Sequence, residues 1–208
     1  KVKENRTARK KEMIDMNILE EMFEKIDKSD TGFTLHYPFL FSLVLGLESK
    51  EVFEFGTGFS THCILHALEK TDGNLTSCDV LHYNKNRNVT DFTKQSKRWT
   101  FHHGNTNHTF GSIQHKQYDL ILHDGAHRES EVLIDLNNIY PYLKHDGILI
   151  THDTRHHNLG AAMIKAVNDF ARDKDVEMLT LPYGYGLTCF RNNGNSVNKV
   201  NLTWKKLK

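Results

Sequence analysis

An α/β fold, with a doubly wound, mostly parallel sheet of seven strands ending in an antiparallel C-terminal hairpin strand, is predicted by three observations. Apolar β-type runs recur at 51–56, 75–80, 99–104, 118–124, 147–153, 177–182 and 186–191, and helical patterns at 60–70, 85–97, 128–143 and 159–174 lie between them. Strands alternating with helices imply right-handed crossovers and a sheet covered on both faces. The last two runs are joined by only "YGY", which forces a hairpin and an antiparallel final strand. Finally, the unusual polar residues gather where strands end, the rim on which open α/β sheets bind ligands.

The elements follow in chain order. Met13, Ile14, Met16, Ile18, Leu19, Met22, Phe23 and Ile26 recur at approximately helical spacing, giving an amphipathic helical segment over 1–34. Its basic start, "KVKENRTARKK", reads as a solvated terminus rather than an RNA-seeking arm. Pro38 is well placed to open a second helix through "HYPFLFSLVLGL". The sheet-and-helix alternation then fills a single domain over 35–192, and 193–208 is a polar tail.

Composition excludes several classes of function. The 208 residues suit one core, burying roughly 70% of the surface an unfolded chain exposes. With 27 basic and 26 acidic side chains, no net field draws the chain to nucleic acid or to an anionic membrane. The longest apolar run, 39–47, falls far short of the ~20 residues a spanning helix needs. No signal-peptide core follows the basic start, so the expectation is an unexported, cytoplasmic chain. Cys63, Cys78 and Cys189 cannot all pair, and each sits in an apolar run where a thiol behaves as a small hydrophobe. Five N-x-[ST] triplets, at Asn5, Asn74, Asn88, Asn107 and Asn201, are read as chance matches in an asparagine-rich chain.

The stretch "FEFGTGFS" carries the first functional signal. Gly56 and Gly58 permit a tight turn with Thr57 between them and let a ligand approach the backbone, and Ser60 is expected to cap the following helix. The dehydrogenase fingerprint G-x-G-x-x-G is not met, because position 61 is Thr. Asp79, 25 residues after Glu54, ends the next strand where an acid can accept hydrogen bonds from a ribose diol.

The second signal is the pair "HDGAH" and "THDTRHH". Asp124 and His127 follow the fourth strand, and His152 and Asp153 end the fifth. Neighbouring strands lie ~4.8 Å apart, so these groups can share one ion. A mixed O/N set suits Mg²⁺ or Mn²⁺ where oxygens dominate, and Fe²⁺ or another transition ion if His152 binds. Arg155, His156 and His157 read as a polar loop, Asp135 as structural, and Tyr183 and Tyr185 as packing of the hairpin turn.

On these residues the chain resembles the class I S-adenosylmethionine-dependent methyltransferases, whose fold is Rossmann-like. Acid-x-Gly-x-Gly-x-Ser followed by an acid after strand two is similar to their cofactor loop, and "HHGN" at 102–105 to their third-strand segment. The resemblance implies that Glu54 and the backbone of Gly56, Thr57, Gly58 and Ser60 cradle the methionine part of S-adenosyl-L-methionine. Asp79 would hold the ribose, and Gly104 and Asn105 would meet the adenine. Over about 35–191 the order Asp-Gly-x-His, helix, apolar strand, His-Asp-Thr resembles a metal-dependent branch that includes sugar O-methyltransferases and relatives named for cephalosporin hydroxylation. That resemblance implies Asp124 and Asp153 as ligands of a divalent metal, with Asp124 also facing the donor, and His127 as base. His152 stands where the branch often has an acid.

The implied function is metal-assisted O-methylation of a hydroxylated small molecule, a sugar among the candidates. A chain of this kind has no membrane partner and no general nucleic-acid partner, and homo-oligomerisation stays open. The rival readings are an Fe²⁺-dependent hydroxylase and a nucleoside-ligand binder without turnover.

Overall fold

The computed structural model describes residues 16–29, 32–106, 116–172 and 174–194. Most of the basic start and of the polar tail, including Asn5, Asn107 and Asn201 of the triplets, lies outside them. In chain order the elements are α1 (Met16–Lys28), a 3-10 turn (Gly32–His36), α2 (Tyr37–Gly46), β1 (Glu51–Phe55), α3 (Phe59–Thr71), β2 (Asn74–Asp79), α4 (Asp91–Gln95) and β3 (Trp99–His103). Then come β4 (Tyr118–His123), α5 (Glu129–Ile139), β5 (Leu143–His152), α6 (Gly160–Arg172), β6 (Val176–Leu181) and β7 (Leu187–Asn192).

The seven strands form one sheet in the order β3-β2-β1-β4-β5-β7-β6. The pairs from β3 through β5 are parallel, while β7 runs antiparallel to both β5 and β6. This is the doubly wound arrangement, with hairpin, that the alternation predicts. Period-two side-chain alternation splits the core into two layers. Val52, Leu120, Leu122 and Ile150 face α1, α2 and α3, where Ile18, Met22, Val44, Leu65 and Leu68 are buried. Phe53, Phe55, Ile121 and Leu149 face α5 and α6, packing on Val132, Leu136, Ile139, Met163 and Phe170. The N-terminal helix α1 is thus part of the main core, with Phe23 left on its exposed side.

Three expectations on element boundaries are corrected. The helix expected over 85–97 contracts to a 3-10 turn at Tyr83–Lys85 and the short α4. Asparagine side chains there capture backbone groups a helix would need: the Asn88 N–H donates to Asn86 Oδ1, and Asn86 Nδ2 donates to the Thr57 carbonyl at 2.7 Å. The helix expected over 128–143 stops at Ile139, where Pro141 sits in a 3-10 turn, and β5 starts earlier than expected, at Leu143. Ser60 is not the cap of α3. Gly58 holds that place, its N–H donating to Thr61 Oγ1 at 3.0 Å.

The order reverses between β1 and β4, which are adjacent but leave toward opposite edges. Their C-terminal ends open the crevice that such sheets use for ligands. Gly56 (φ +84°) makes the first turn out of that crevice, and a Cβ there would collide with the carbonyl oxygen of Asp124.

Candidate active site

A cavity of about 320 Å³ fills the crevice. Its wall is made by Gly56 and Thr57 after β1, Asp79 and Val80 after β2, Gly104, Asn105 and Thr106 after β3, Asp124 and Ala126 after β4, and Glu131 and Asp135 on α5. The volume suits a nucleoside-sized ligand. Four carboxylates, Asp79, Asp124, Glu131 and Asp135, line it, so its chemistry favours a ligand carrying positive charge.

The glycine turn is braced from both sides. Asp79 Oδ2 accepts from the backbone N–H and the hydroxyl of Thr57, at 2.8 and 2.7 Å, and its Oδ1 accepts from the Leu81 N–H. Glu54 is fully buried behind the turn, where it accepts from Ser60 Oγ, Thr61 Oγ1 and Ser77 Oγ at 2.6–2.9 Å. Burial pushes the Glu54 carboxyl up to about 7, against the pull of those three hydroxyls. Of the residues expected to touch the donor, Gly56, Thr57, Asp79, Gly104, Asn105 and Asp124 therefore form the cavity wall. Glu54, Gly58 and Ser60 stand outside that wall, the Glu54 and Ser60 side chains bonding to each other behind the turn.

Asp124, His152 and Asp153 offer ligand atoms that all lie within 4.8 Å of one another. His152 Nδ1 is 3.0 Å from Asp124 Oδ1 and 3.4 Å from Asp153 Oδ1. Burial disfavours a charged His152, but hydrogen bonds to the two carboxylates outweigh it and raise the imidazole to about 10. Asp153 is likewise opposed by burial, yet its hydrogen bonds with His127 and His152 hold it well below the usual carboxylate range.

The trio fits a divalent cation. His152 Nε2 donates to the Gly184 carbonyl at 3.0 Å, and because a carbonyl only accepts, that nitrogen must carry hydrogen. Nδ1, against the two carboxylates, carries the second hydrogen of the raised imidazole, which an ion bound there would displace, while the Gly184 carbonyl keeps the ring oriented as a metal-bound imidazole needs. Asp153 is in the left-handed region (φ +61°), which aspartate tolerates better than most residues, and it turns its carboxylate back toward His152.

His127 adjoins the trio. Its Nε2 lies 2.7 Å from Asp153 Oδ2, and the hydrogen bond to that carboxylate raises its basicity above the ordinary imidazole value. Of the residues read as structural, His156 Nδ1 accepts from the N–H groups of Asn158 and Leu159 ahead of α6, and Tyr185 packs against His156 and Gly32, whereas Tyr183 is 75% exposed and does not pack as expected. No disulfide joins the three cysteines, of which Cys63 and Cys78 are buried.

Asp135, read from the sequence as structural, also borders the cavity. It is only 3% exposed, accepting from Thr106 Oγ1 at 2.7 Å and from His123 Nε2 at 3.2 Å. The available signal was an acid on the apolar face of α5, among Val132, Leu136 and Ile139.

A family model described as a methyltransferase domain matches residues 53–154, the span from β1 to the residue after Asp153. Among solved structures, the chain is similar to the SAH-bound methyltransferase PaMTH1 of Podospora anserina, at 15% identity and a TM-score of 0.69, over 93% of this chain and 97% of that one. It is similar to an O-methyltransferase from Bacillus cereus in complex with SAH, at 14% identity and a TM-score of 0.66, over 85% and 91% of the two chains. It is also similar to the MycE methyltransferase of the mycinamycin biosynthetic pathway, in complex with Mg, SAH and mycinamycin VI. That likeness has 15% identity and a TM-score of 0.55, over 80% of this chain and 51% of that one. A search of the curated proteins found no significant match.

Fold and crevice together define a class I, Rossmann-like methyltransferase architecture. Within that architecture, residues 53–154 are similar to a methyltransferase domain. Among the described residues, no helix is long and apolar enough to cross a membrane.

Proposed function

We propose that the protein transfers the methyl group of S-adenosylmethionine to a hydroxyl of a small molecule, a sugar among the candidates, assisted by a divalent metal. The observation that carries this reading is the double membership of Asp124, which belongs both to the wall of the nucleoside-sized cavity and to the Asp124–His152–Asp153 trio. A group next to the donor is thereby also a group next to the ion. The likeness to MycE in complex with Mg and mycinamycin VI supports the metal and a small-molecule acceptor.

Asp79 would hold the ribose while Gly104 and Asn105 meet the adenine, and the turn at Gly56 and Thr57 would carry the remainder. Asp124, His152 and Asp153 would hold the ion, which when bound would polarise the acceptor hydroxyl and lower its pKa. His127 supplies the base. Since Asp153 only accepts, the His127 hydrogen sits on Nε2 and Nδ1 has the lone pair that takes the hydroxyl proton. The rest of the rate enhancement comes from holding oxygen and methyl carbon in line at near-attack distance.

The test is incubation with methyl-labelled S-adenosylmethionine, Mg²⁺ or Mn²⁺ and a panel of sugar and aryl hydroxyl acceptors. Label should move to an acceptor with release of S-adenosylhomocysteine, and Asp124→Ala should abolish the transfer. Dioxygen consumption with Fe²⁺ that does not need S-adenosylmethionine would replace this reading with a hydroxylase. Binding of S-adenosylhomocysteine without turnover across the panel would point to a binder.

A further inference from the structure

We propose that His36 is a positioning residue for the metal centre: it holds the Gly184 carbonyl that orients His152, and so gives the site its preference for ions that favour a nitrogen ligand. This rests on the reading that Asp124, His152 and Asp153 hold a divalent cation.

His36 stands in the N-cap place immediately before α2, where a short oxygen-bearing side chain normally serves the first helical turn. Its own side chain makes no capping hydrogen bond. It turns instead to the β6–β7 hairpin, where its Nε2 lies 3.1 Å from the Gly184 carbonyl oxygen. The same oxygen is 3.0 Å from His152 Nε2. A carbonyl only accepts, so both imidazoles donate, and the lone pairs of one oxygen are shared between two histidines.

The sharing matters because of what residue 184 is. It is in the left-handed region (φ +54°), and a Cβ there would collide with the Gly32 carbonyl oxygen and with His36 Nε2, so only glycine fits. Glycine is also the residue whose backbone turns most freely. Held by His152 alone, its carbonyl would be free to swing and to carry the imidazole with it. The His36 N–H holds the oxygen from a second direction.

The same short segment packs the ring. Phe33 and His36, both buried, meet the His152 ring edge-on, with centroids 4.7 and 5.7 Å away. The 3-10 turn Gly32–His36 therefore encloses the imidazole while the shared carbonyl fixes its rotation, and Nδ1 is left facing Asp124 and Asp153.

A fixed nitrogen ligand matters unequally to different ions. Co²⁺ takes imidazole readily, whereas Mg²⁺ binds through carboxylate oxygens and retained water. Loosening His152 leaves Mg²⁺ its two carboxylates but takes from Co²⁺ the ligand it prefers. A histidine that served packing alone would affect both ions alike.

The experiment is calorimetric titration of the full chain with Co²⁺ and, separately, with Mg²⁺, together with the visible absorption of bound Co²⁺. His36→Leu keeps the bulk and removes the N–H. It should weaken Co²⁺ binding by about tenfold to a hundredfold, the usual loss when a group supporting a liganding imidazole is removed, and Mg²⁺ binding by about threefold or less. The absorption of the Co²⁺-saturated variant should differ from that of wild type. His36→Gln, whose amide can donate to Gly184, should keep Co²⁺ affinity within about threefold of wild type. His36→Met gives a second route if His36→Leu does not fold. Equal loss of both ions in a folded variant, or unchanged Co²⁺ affinity in His36→Leu or His36→Met, would overturn the role of His36. Failure of wild type to bind either ion would instead overturn the cation reading beneath it.

Discussion

His152 Nδ1 lies 3.0 Å from Asp124 Oδ1, joining the ends of two adjacent parallel strands through side chains at the point where both leave the sheet. The imidazole is fixed from behind by the Gly184 carbonyl, which also accepts from His36 Nε2 at 3.1 Å. The trio is therefore held by β4, β5, the β6–β7 hairpin and the segment ahead of α2 together.

Calorimetric titration of the protein with Mn²⁺ should show one site. Asp124→Asn and His152→Ala should each weaken it by more than about 100-fold, beyond the loss typical of supporting groups around a metal. Unchanged Mn²⁺ affinity in both variants would remove the trio as the site.

His127→Gln should lower kcat by about 10²- to 10⁴-fold, the usual worth of a positioned general base. Affinity for S-adenosylhomocysteine should stay within about twofold, since His127 is absent from the cavity wall. A variant that loses affinity but keeps kcat would show that the residue acts in binding.

Gly56→Ala should destabilise the fold by about 2–3 kcal/mol, because the residue is at φ +84° and its new methyl meets backbone at Asp124 that cannot rotate away. Urea unfolding measures this. Gly46→Ala is the control, since a Cβ there meets nothing within 4 Å.

Glu54 makes stability depend on pH with a definite sign. Its carboxyl is raised from 4.5 to about 7 in the folded chain, so between those values the folded state binds a proton the unfolded state has released. Stability from this group is present below about 4.5 and is lost as pH rises through 7, by about 3 kcal/mol in all. Urea unfolding at pH 5 and pH 8 should show wild type losing that amount relative to Glu54→Gln. Parallel behaviour of the two proteins would mean that Glu54 is ionised throughout.

The sheet was legible because each strand is a short apolar run bounded by turn residues, and "YGY" alone fixed the direction of β7. The 85–97 helix was not, because its periodicity ignores the asparagines: Asn86 and Asn88 bond locally, and no hydrophobicity pattern registers that competition. In the site, Asp124, His127, His152 and Asp153 were legible from their places at adjacent strand ends, and the structure brings all four together. Glu54 was half legible. Its position was found, but that Ser60, Thr61 and Ser77 would converge on it depends on α3 and β2 meeting behind the turn. That Asp135 borders the cavity was not legible, since its neighbours on α5 are core residues and its partners Thr106 and His123 are distant in sequence.

The left-handed backbone at Asp153 limits how this chain can evolve. Asparagine and glycine are the replacements that such a conformation accepts at small cost, whereas a β-branched or bulky side chain would distort the peptide that carries His152. Asparagine would keep an oxygen donor while removing one negative charge. The charge of the Asp124–His152–Asp153 trio can thus be changed by a single conservative exchange without rebuilding the loop.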